Sequence, residues 1–198
     1  MCLIIINKSG KLDKSILIQA AKNNPEGFGL MYAKNGKLLV YRTFIPDNLT
    51  RKYFMIRSNF AGIIVMHFRI ATSGKLDNSN LHPFLIDDNL AMMHNGIFSN
   101  LGNKIESDTA ELSEILRNIN GFNPFDKKWK KILSLICGYS SKLVFLSNKG
   151  QIQIINEQYG HWVGSNWYSN YSYINYTLPG KKVGFRQWKL YNYDNFDY

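Results

Sequence analysis

The chain has 198 residues, 45% of them hydrophobic and 14% aromatic, which is enough apolar material for a packed core and excludes wholesale disorder. Twenty-four Lys and Arg against fourteen Asp and Glu give a net charge of +10, which permits a nucleic-acid or other polyanionic partner without establishing one. Two cysteines, Cys2 and Cys137, exclude a disulfide framework and a multi-cysteine zinc site, and no apolar run approaches the roughly 18–20 residues of a membrane span. The opening MCLIIIN is briefly apolar, lacks a basic leader and soon meets Lys8, Lys11 and Lys14, so it makes a poor signal peptide. The expectation is a cytoplasmic protein without membrane attachment, organised as one domain over residues 1–198.

Residues 3–6 form a short β-branched run that predicts a buried strand. Asp13 caps a predicted helix to about residue 22, with Ile16, Leu17 and Ala20 on one face, and Asn24-Pro25-Glu26-Gly27 breaks it. Strands are predicted at 28–33 and 38–43, joined through Asn35-Gly36, a dipeptide that tolerates positive φ at both positions. Further strands are expected at 61–69 and 90–94. Ser107 or Asp108 caps a helix to about 118 with Ala110, Leu112, Ile115 and Leu116 as its apolar set, and a third helix is expected over 125–136 with Lys127, Lys128, Lys130 and Lys131 on its wet side. A second hairpin is predicted over 142–146 and 151–155, followed from Gly160 by short strands and turns. Strands predominate without regular βαβα alternation, which points to an α+β protein with antiparallel sheets.

Three clusters can carry chemistry. Cys2 follows the initiator Met; once Met1 is removed, it holds a thiol and a free α-amine on one residue. An α-amine has a pKa of about 7.7–8 and a thiol about 8.5, so the amine can serve as general base for its own sulfur. Cys2 alone also fits a small apolar residue opening a strand. The second cluster is HFRIATSG (67–74) followed by NLHPF (80–84). A strand ending in Arg69 can present a guanidinium to a carboxylate, or merely form a surface ion pair. His67 and His82 have no third ligand at a convincing spacing, so hydrogen bonding suits them better than a metal. The third cluster is His94-Asn95-Gly96, where a side-chain amide and the next backbone N–H can converge on one oxygen, although Asn-Gly is also a common tight turn.

Cys2, NPEGFG (24–29), HFRIATSG (67–74), NLHPF (80–84), HNGIF (94–98) and SDTAE (107–111) occur in the order and approximate spacing of the class-II glutamine amidotransferases. The chain resembles that family over residues 2–111, and more loosely through GHWVGSN to about residue 176. The resemblance implies a four-layer αββα N-terminal-nucleophile hydrolase fold, two antiparallel sheets sandwiched between helices. It implies Cys2 as nucleophile, Asn95 and Gly96 as the oxyanion-hole pair, and Arg69 on the substrate α-carboxylate. Thr72 and Ser73 then line the glutamine pocket and Asp108 meets the α-ammonium; the last residue also fits a helix N-terminal acid stabilised by the macrodipole. His67, His82 and His94 match family histidines taken as structural, with His94 behind Asn95. Ser73 stands where some subfamilies carry His, and Glu26 where relatives often have Asp.

The activity so implied is hydrolysis of glutamine through a Cys2 γ-glutamyl thioester, with neither metal nor cofactor. The ammonia passes to an acceptor synthase or transferase in trans, since no acceptor domain fits in the residues beyond Ile115. Lys127 to Lys131, Lys181, Lys182, Arg186 and Lys189, with Trp162, Trp167, Tyr168, Tyr171 and Tyr173, form either a docking face or solvated charge and ordinary core. A nucleic-acid acceptor is admitted by the same residues. The rival readings are a hydrolase of another γ-glutamyl or small amide bond, and a catalytically silent binding module.

Overall fold

The computed structural model describes residues 2–71 and 74–174. The first strand, β1 (Leu3–Asn7), is followed by α1 (Lys14–Asn23), the hairpin β2 (Phe28–Lys34) and β3 (Lys37–Thr43), α2 (Pro46–Arg57) and β4 (Ile64–Phe68). Then come β5 (Phe84–Asp87), β6 (Leu90–Asn95), α3 (Asp108–Asn118), α4 (Lys127–Cys137), β7 (Lys142–Ser147), β8 (Ile152–Ile155), β9 (His161–Val163) and β10 (Asn166–Tyr168). A six-stranded sheet runs β3-β2-β4-β1-β10-β9 and a four-stranded sheet runs β5-β6-β7-β8, every pairing antiparallel.

The alternation of side chains along each strand builds four layers. Leu3 and Ile5 of β1, Phe28 and Leu30 of β2, and Met66 and Phe68 of β4 point to one face, where they pack with Leu17 and Ala20 of α1 and Leu49, Tyr53 and Ile56 of α2. Ile4, Ile6, Met31 and Val65 point to the other face and meet Ala91, Met93, Val144, Leu146 and Ile154 of the second sheet. The outer face of that second sheet (Leu90, Met92, Leu143, Phe145, Ile155) is covered by Leu112 and Leu116 of α3 and Leu133 and Cys137 of α4. The order is therefore helix, sheet, sheet, helix, as expected. A strand covered on both faces has no polar side to show, which is why β1 reads as an unbroken apolar run.

Local chemistry sets the element ends. Asp13, Ser107 and Asp126 each cap a helix by accepting from Ser15 N (2.8 Å), Ala110 N (3.2 Å) and Lys128 N (2.7 Å). The β2–β3 turn places Asn35 and Gly36 at φ 53° and 71°, the two positive dihedrals that a two-residue hairpin demands. Several expected elements differ in their bounds: the strand at 61–69 is Ile64–Phe68, the strand at 90–94 extends to Asn95, the strand at 151–155 is Ile152–Ile155, and the helix at 125–136 is Lys127–Cys137. Two elements escape the sequence reading. Helix α2 carries its core contacts on Leu49, Tyr53 and Ile56, diluted by Asp47, Asn48, Arg51 and Lys52, and the four-residue strand β5 starts at the last residue of the NLHPF motif.

The antiparallel register gathers the functional strand ends at one end of the sandwich. Leu3 opposes Phe68, so the residue before β1 lies beside the residues after β4. Ile5 opposes Tyr168, so the chain leaving β10 runs back past the same place.

Candidate active site

Cys2 stands at this end of the six-stranded sheet. Its Sγ donates to Ile70 O (3.3 Å) and accepts from Ile70 N–H (3.4 Å), while its carbonyl accepts from Asn170 Nδ2 at 2.7 Å. Burial pushes the thiol pKa up, and the Ile70 N–H and the nearby Arg69 charge offset part of that rise. The resting sulfur is therefore protonated at neutral pH, and a nucleophilic role requires a base.

Arg69 follows β4 and is buried, its backbone locked by Arg69 N–H to Gly27 O (2.8 Å) and Glu26 N–H to Arg69 O (3.0 Å). Glu26 also accepts from Ala71 N–H, so this acid pins the strand end that presents Arg69. Gly29, across the sheet from His67, touches the backbone of the 82–83 segment so closely that any Cβ would meet His82 O.

Asn95 ends β6 and is buried, its amide 2.7 Å from Ser169 Oγ. The next residue, Gly96, has φ 152°, and a Cβ there would meet Ser141 Oγ, which explains why glycine is needed beside Asn95. Asp108 opens α3, where it accepts from Phe98 N–H (2.8 Å) through Oδ2 and from Thr109 N–H (2.8 Å) and Thr109 Oγ1 (3.2 Å) through Oδ1. The acid thus ties the loop after Gly96 to the start of the helix.

Cys2, Arg69, Ile70, His82, His94, Gly96, Ser107, Asp108 and Thr109 line one pocket of about 20 Å³, space for about one water. Of the residues named from the sequence, Cys2, Arg69, Gly96 and Asp108 share this pocket, and Asn95 adjoins it through Gly96. Thr72 and Ser73 lie outside the described residues, as do Lys181, Lys182, Arg186 and Lys189. Trp167 and Tyr168 belong to the core, whereas Trp162 and Tyr171 are exposed. Among the described residues there is no group of three or more His, Cys, Asp or Glu able to hold a metal, and no helix is long and apolar enough to cross a membrane.

The three histidines are buried at the pocket, which His82 and His94 help to line. His67 Nε2 faces the His94 carbonyl at 3.0 Å and must donate to it, and the His67 and His82 rings stack at 3.8 Å. His94 Nδ1 lies 2.9 Å from Thr109 Oγ1 and its ring stacks on Phe98 at 4.3 Å. Because Thr109 Oγ1 donates onward to Asp108, it accepts from His94 Nδ1–H, which fixes the neutral tautomer by its partners. Burial drives His67 and His94 down to about 3 and His82 well below its ordinary value, with Arg69, Arg42 and Lys142 adding repulsion.

Each of these histidines is neutral in the folded state and takes a proton near pH 6.5 in the unfolded state. Below about pH 6.5 the unfolded chain binds more protons, so stability falls with pH, by up to about 1.4 kcal/mol per unit for each ring. A urea midpoint that drops steeply between pH 6.5 and 5, above the carboxylate range, is the expected result. A midpoint flat over that interval contradicts three buried neutral histidines.

No family model matches the chain. It is 29% identical over 160 residues to the glutamine–fructose-6-phosphate aminotransferase (isomerizing) of Helicobacter pylori, an alignment covering 70% of this chain and 26% of that protein. Its fold is similar to that of the glutamine phosphoribosylpyrophosphate amidotransferase of B. subtilis, with a TM-score of 0.57 at 15% identity, over 85% of this chain and 41% of the other. The chain is similar in sequence to a glutamine-dependent aminotransferase and shares the fold of glutamine amidotransferases of class II. A further solved structure, described as the allosteric regulatory enzyme of purine biosynthesis, matches with a TM-score of 0.50 at 17% identity, over 75% of this chain and 36% of that one. The chain thus spans about a quarter of the curated relative's length, and its four layers are those of the N-terminal-nucleophile hydrolase fold.

Within this fold, the sequence reading missed Ser169, Asn170 and Asn80. Asn80 accepts from Ser107 N–H (2.6 Å) and donates to Ile105 O (2.8 Å), joining the segment after residue 74 to the cap of α3. Its place in NLHPF was visible, but its partners lie 25 and 27 residues away.

Proposed function

We propose that this chain hydrolyses glutamine to glutamate and ammonia through Cys2, once Met1 has been removed, and that the ammonia goes to an acceptor enzyme in trans. The observation that carries this reading is the single pocket lined by Cys2, Arg69, Gly96 and Asp108. It supplies a thiol, a cation, a backbone N–H and an anion within one space, which matches the head group and side-chain amide of a free amino acid.

In this reading the Cys2 α-amine takes the thiol proton, and the thiolate attacks the carboxamide carbon of glutamine. The oxyanion receives hydrogen bonds from the Asn95 amide and the Gly96 N–H. The protonated amine returns its proton to the leaving nitrogen, ammonia departs, and water cleaves the γ-glutamyl thioester to give glutamate and the free thiol. Arg69 pairs with the substrate carboxylate and Asp108 with its ammonium, which favours glutamine over simple amides. The raised thiol pKa fits this scheme, because the base becomes necessary. Glutamine is several times larger than the present pocket, so its entry requires the walls to part.

A partner of opposite charge fits the exposed lysines of α4. The test is release of glutamate and ammonia by the mature chain, with glutamine, γ-glutamyl amides and simple amides compared, and with co-purified proteins present or absent. Glutamine turnover above the other amides, raised by an acceptor protein, is expected. Turnover of γ-glutamyl amides without glutamine turnover assigns the pocket to a different amide bond, and a folded chain that releases nothing is a binding module.

A further inference from the structure

Ser169 is fully buried where the chain leaves β10, and it touches both halves of the site. Its N–H donates to Ile4 O (3.0 Å), its Oγ accepts from Ile4 N–H (2.8 Å), and the same Oγ lies 2.7 Å from the Asn95 amide. The next residue, Asn170, donates from Nδ2 to the Cys2 carbonyl at 2.7 Å and accepts from Ser172 N–H at 2.9 Å. Two adjacent residues therefore hold the nucleophile's strand and the end of β6 together across the two sheets.

The hydrogen-bond count decides which end of the Asn95 amide faces Ser169. A hydroxyl has one proton to give and two lone pairs to receive with. With Asn95 Nδ2 toward Ser169, the hydroxyl receives two donors, its own proton finds no acceptor among the described residues, and Asn95 Oδ1 is buried without a partner. With the amide turned over, Ser169 O–H donates to Asn95 Oδ1 while still accepting from Ile4 N–H. The amide nitrogen then occupies the partnerless position, as a buried donor awaiting an acceptor. The separation of 2.7 Å is that of an O–H···O bond.

We infer that Ser169 is the positioning residue of the oxyanion hole: its hydroxyl fixes Asn95 so that the amide nitrogen is directed to the pocket lined by Cys2 and Gly96. Rested on the glutaminase reading, this makes the residue act through Asn95 and never on the substrate itself. Without the hydroxyl, the Asn95 amide loses the partner that sets its direction, and a carbonyl oxygen can then face the developing negative charge.

The test is a double-mutant cycle on glutamine turnover, S169A and N95A singly and together, with thermal midpoints measured alongside. S169A is expected to lower kcat by about 10–100-fold with KM for glutamine within about twofold, and to add less than about twofold in the N95A background. An equal loss in both backgrounds means that Ser169 serves β1 alone and overturns the inference. The side-chain amide resonances of Asn95 in the wild-type chain give a readout independent of turnover and of any variant's folding. Amide-proton NOEs to Cys2 and Gly96 are expected, and strong NOEs to the Ser169 β-protons overturn the inference. A wild-type chain that turns over no glutamine while showing the expected NOEs removes the glutaminase reading and leaves the Ser169 contact standing.

Discussion

Replacing Cys2 with Ala is expected to reduce glutamine turnover by on the order of 10⁴–10⁶-fold while the chain stays folded, since removing a covalent nucleophile leaves no thioester route. The two effects separate because the sulfur contributes little to the fold. Its neighbours are the amide and carbonyl of Ile70 at 3.4 and 3.3 Å, weak sulfur contacts at the end of a strand whose core residues are Leu3 to Ile6. Alanine at position 2 is also small enough to permit removal of Met1, so the α-amine is retained and the sulfur alone is tested. Residual turnover within tenfold of wild type, at equal thermal midpoint, contradicts a Cys2 nucleophile.

Asn95→Ala carries the second large effect, a loss of about 10²–10³-fold in kcat at nearly unchanged KM. A hydrogen bond to an oxygen that becomes negative in the transition state matters little while glutamine is merely bound. The substitution also strips Ser169 Oγ of a partner 2.7 Å away, so a fall in thermal midpoint accompanies it. Steady-state kinetics with glutamine separates the two parameters. A rise in KM at constant kcat would place Asn95 in ground-state binding instead.

Much of the fold is visible in local chemistry. The five buried residues of β1, the Asn35-Gly36 turn and the Ser107 cap each state their structure within a few residues. Helix α2 does not, because its three core contacts are spread among charged and polar residues that serve its wet side. The site divides in the same way. Cys2, Arg69, Asn95, Gly96 and Asp108 sit in motifs whose residue types suggest chemistry, and the family resemblance joined motifs that no local rule connects. Ser169 and Asn170 lie in a stretch rich in Ser, Asn and Tyr, and their roles depend on partners 74, 165 and 168 residues away. Such roles arise from antiparallel register and sheet stacking. Glu26 is the intermediate case: its motif was visible, but its hold on Ala71 required the paired ends of β2 and β4.

The central claim is that the α-amine and thiol of one processed residue act together on glutamine. Incubation of the mature chain with a glutamine-derived diazoketone, followed by intact-mass measurement and peptide mapping, tests it most directly. The account predicts a chain lacking Met1 that takes up one label on Cys2 and loses glutamine turnover in proportion. Labelling at Cys137 or elsewhere, or full turnover by a chain that retains Met1, contradicts it.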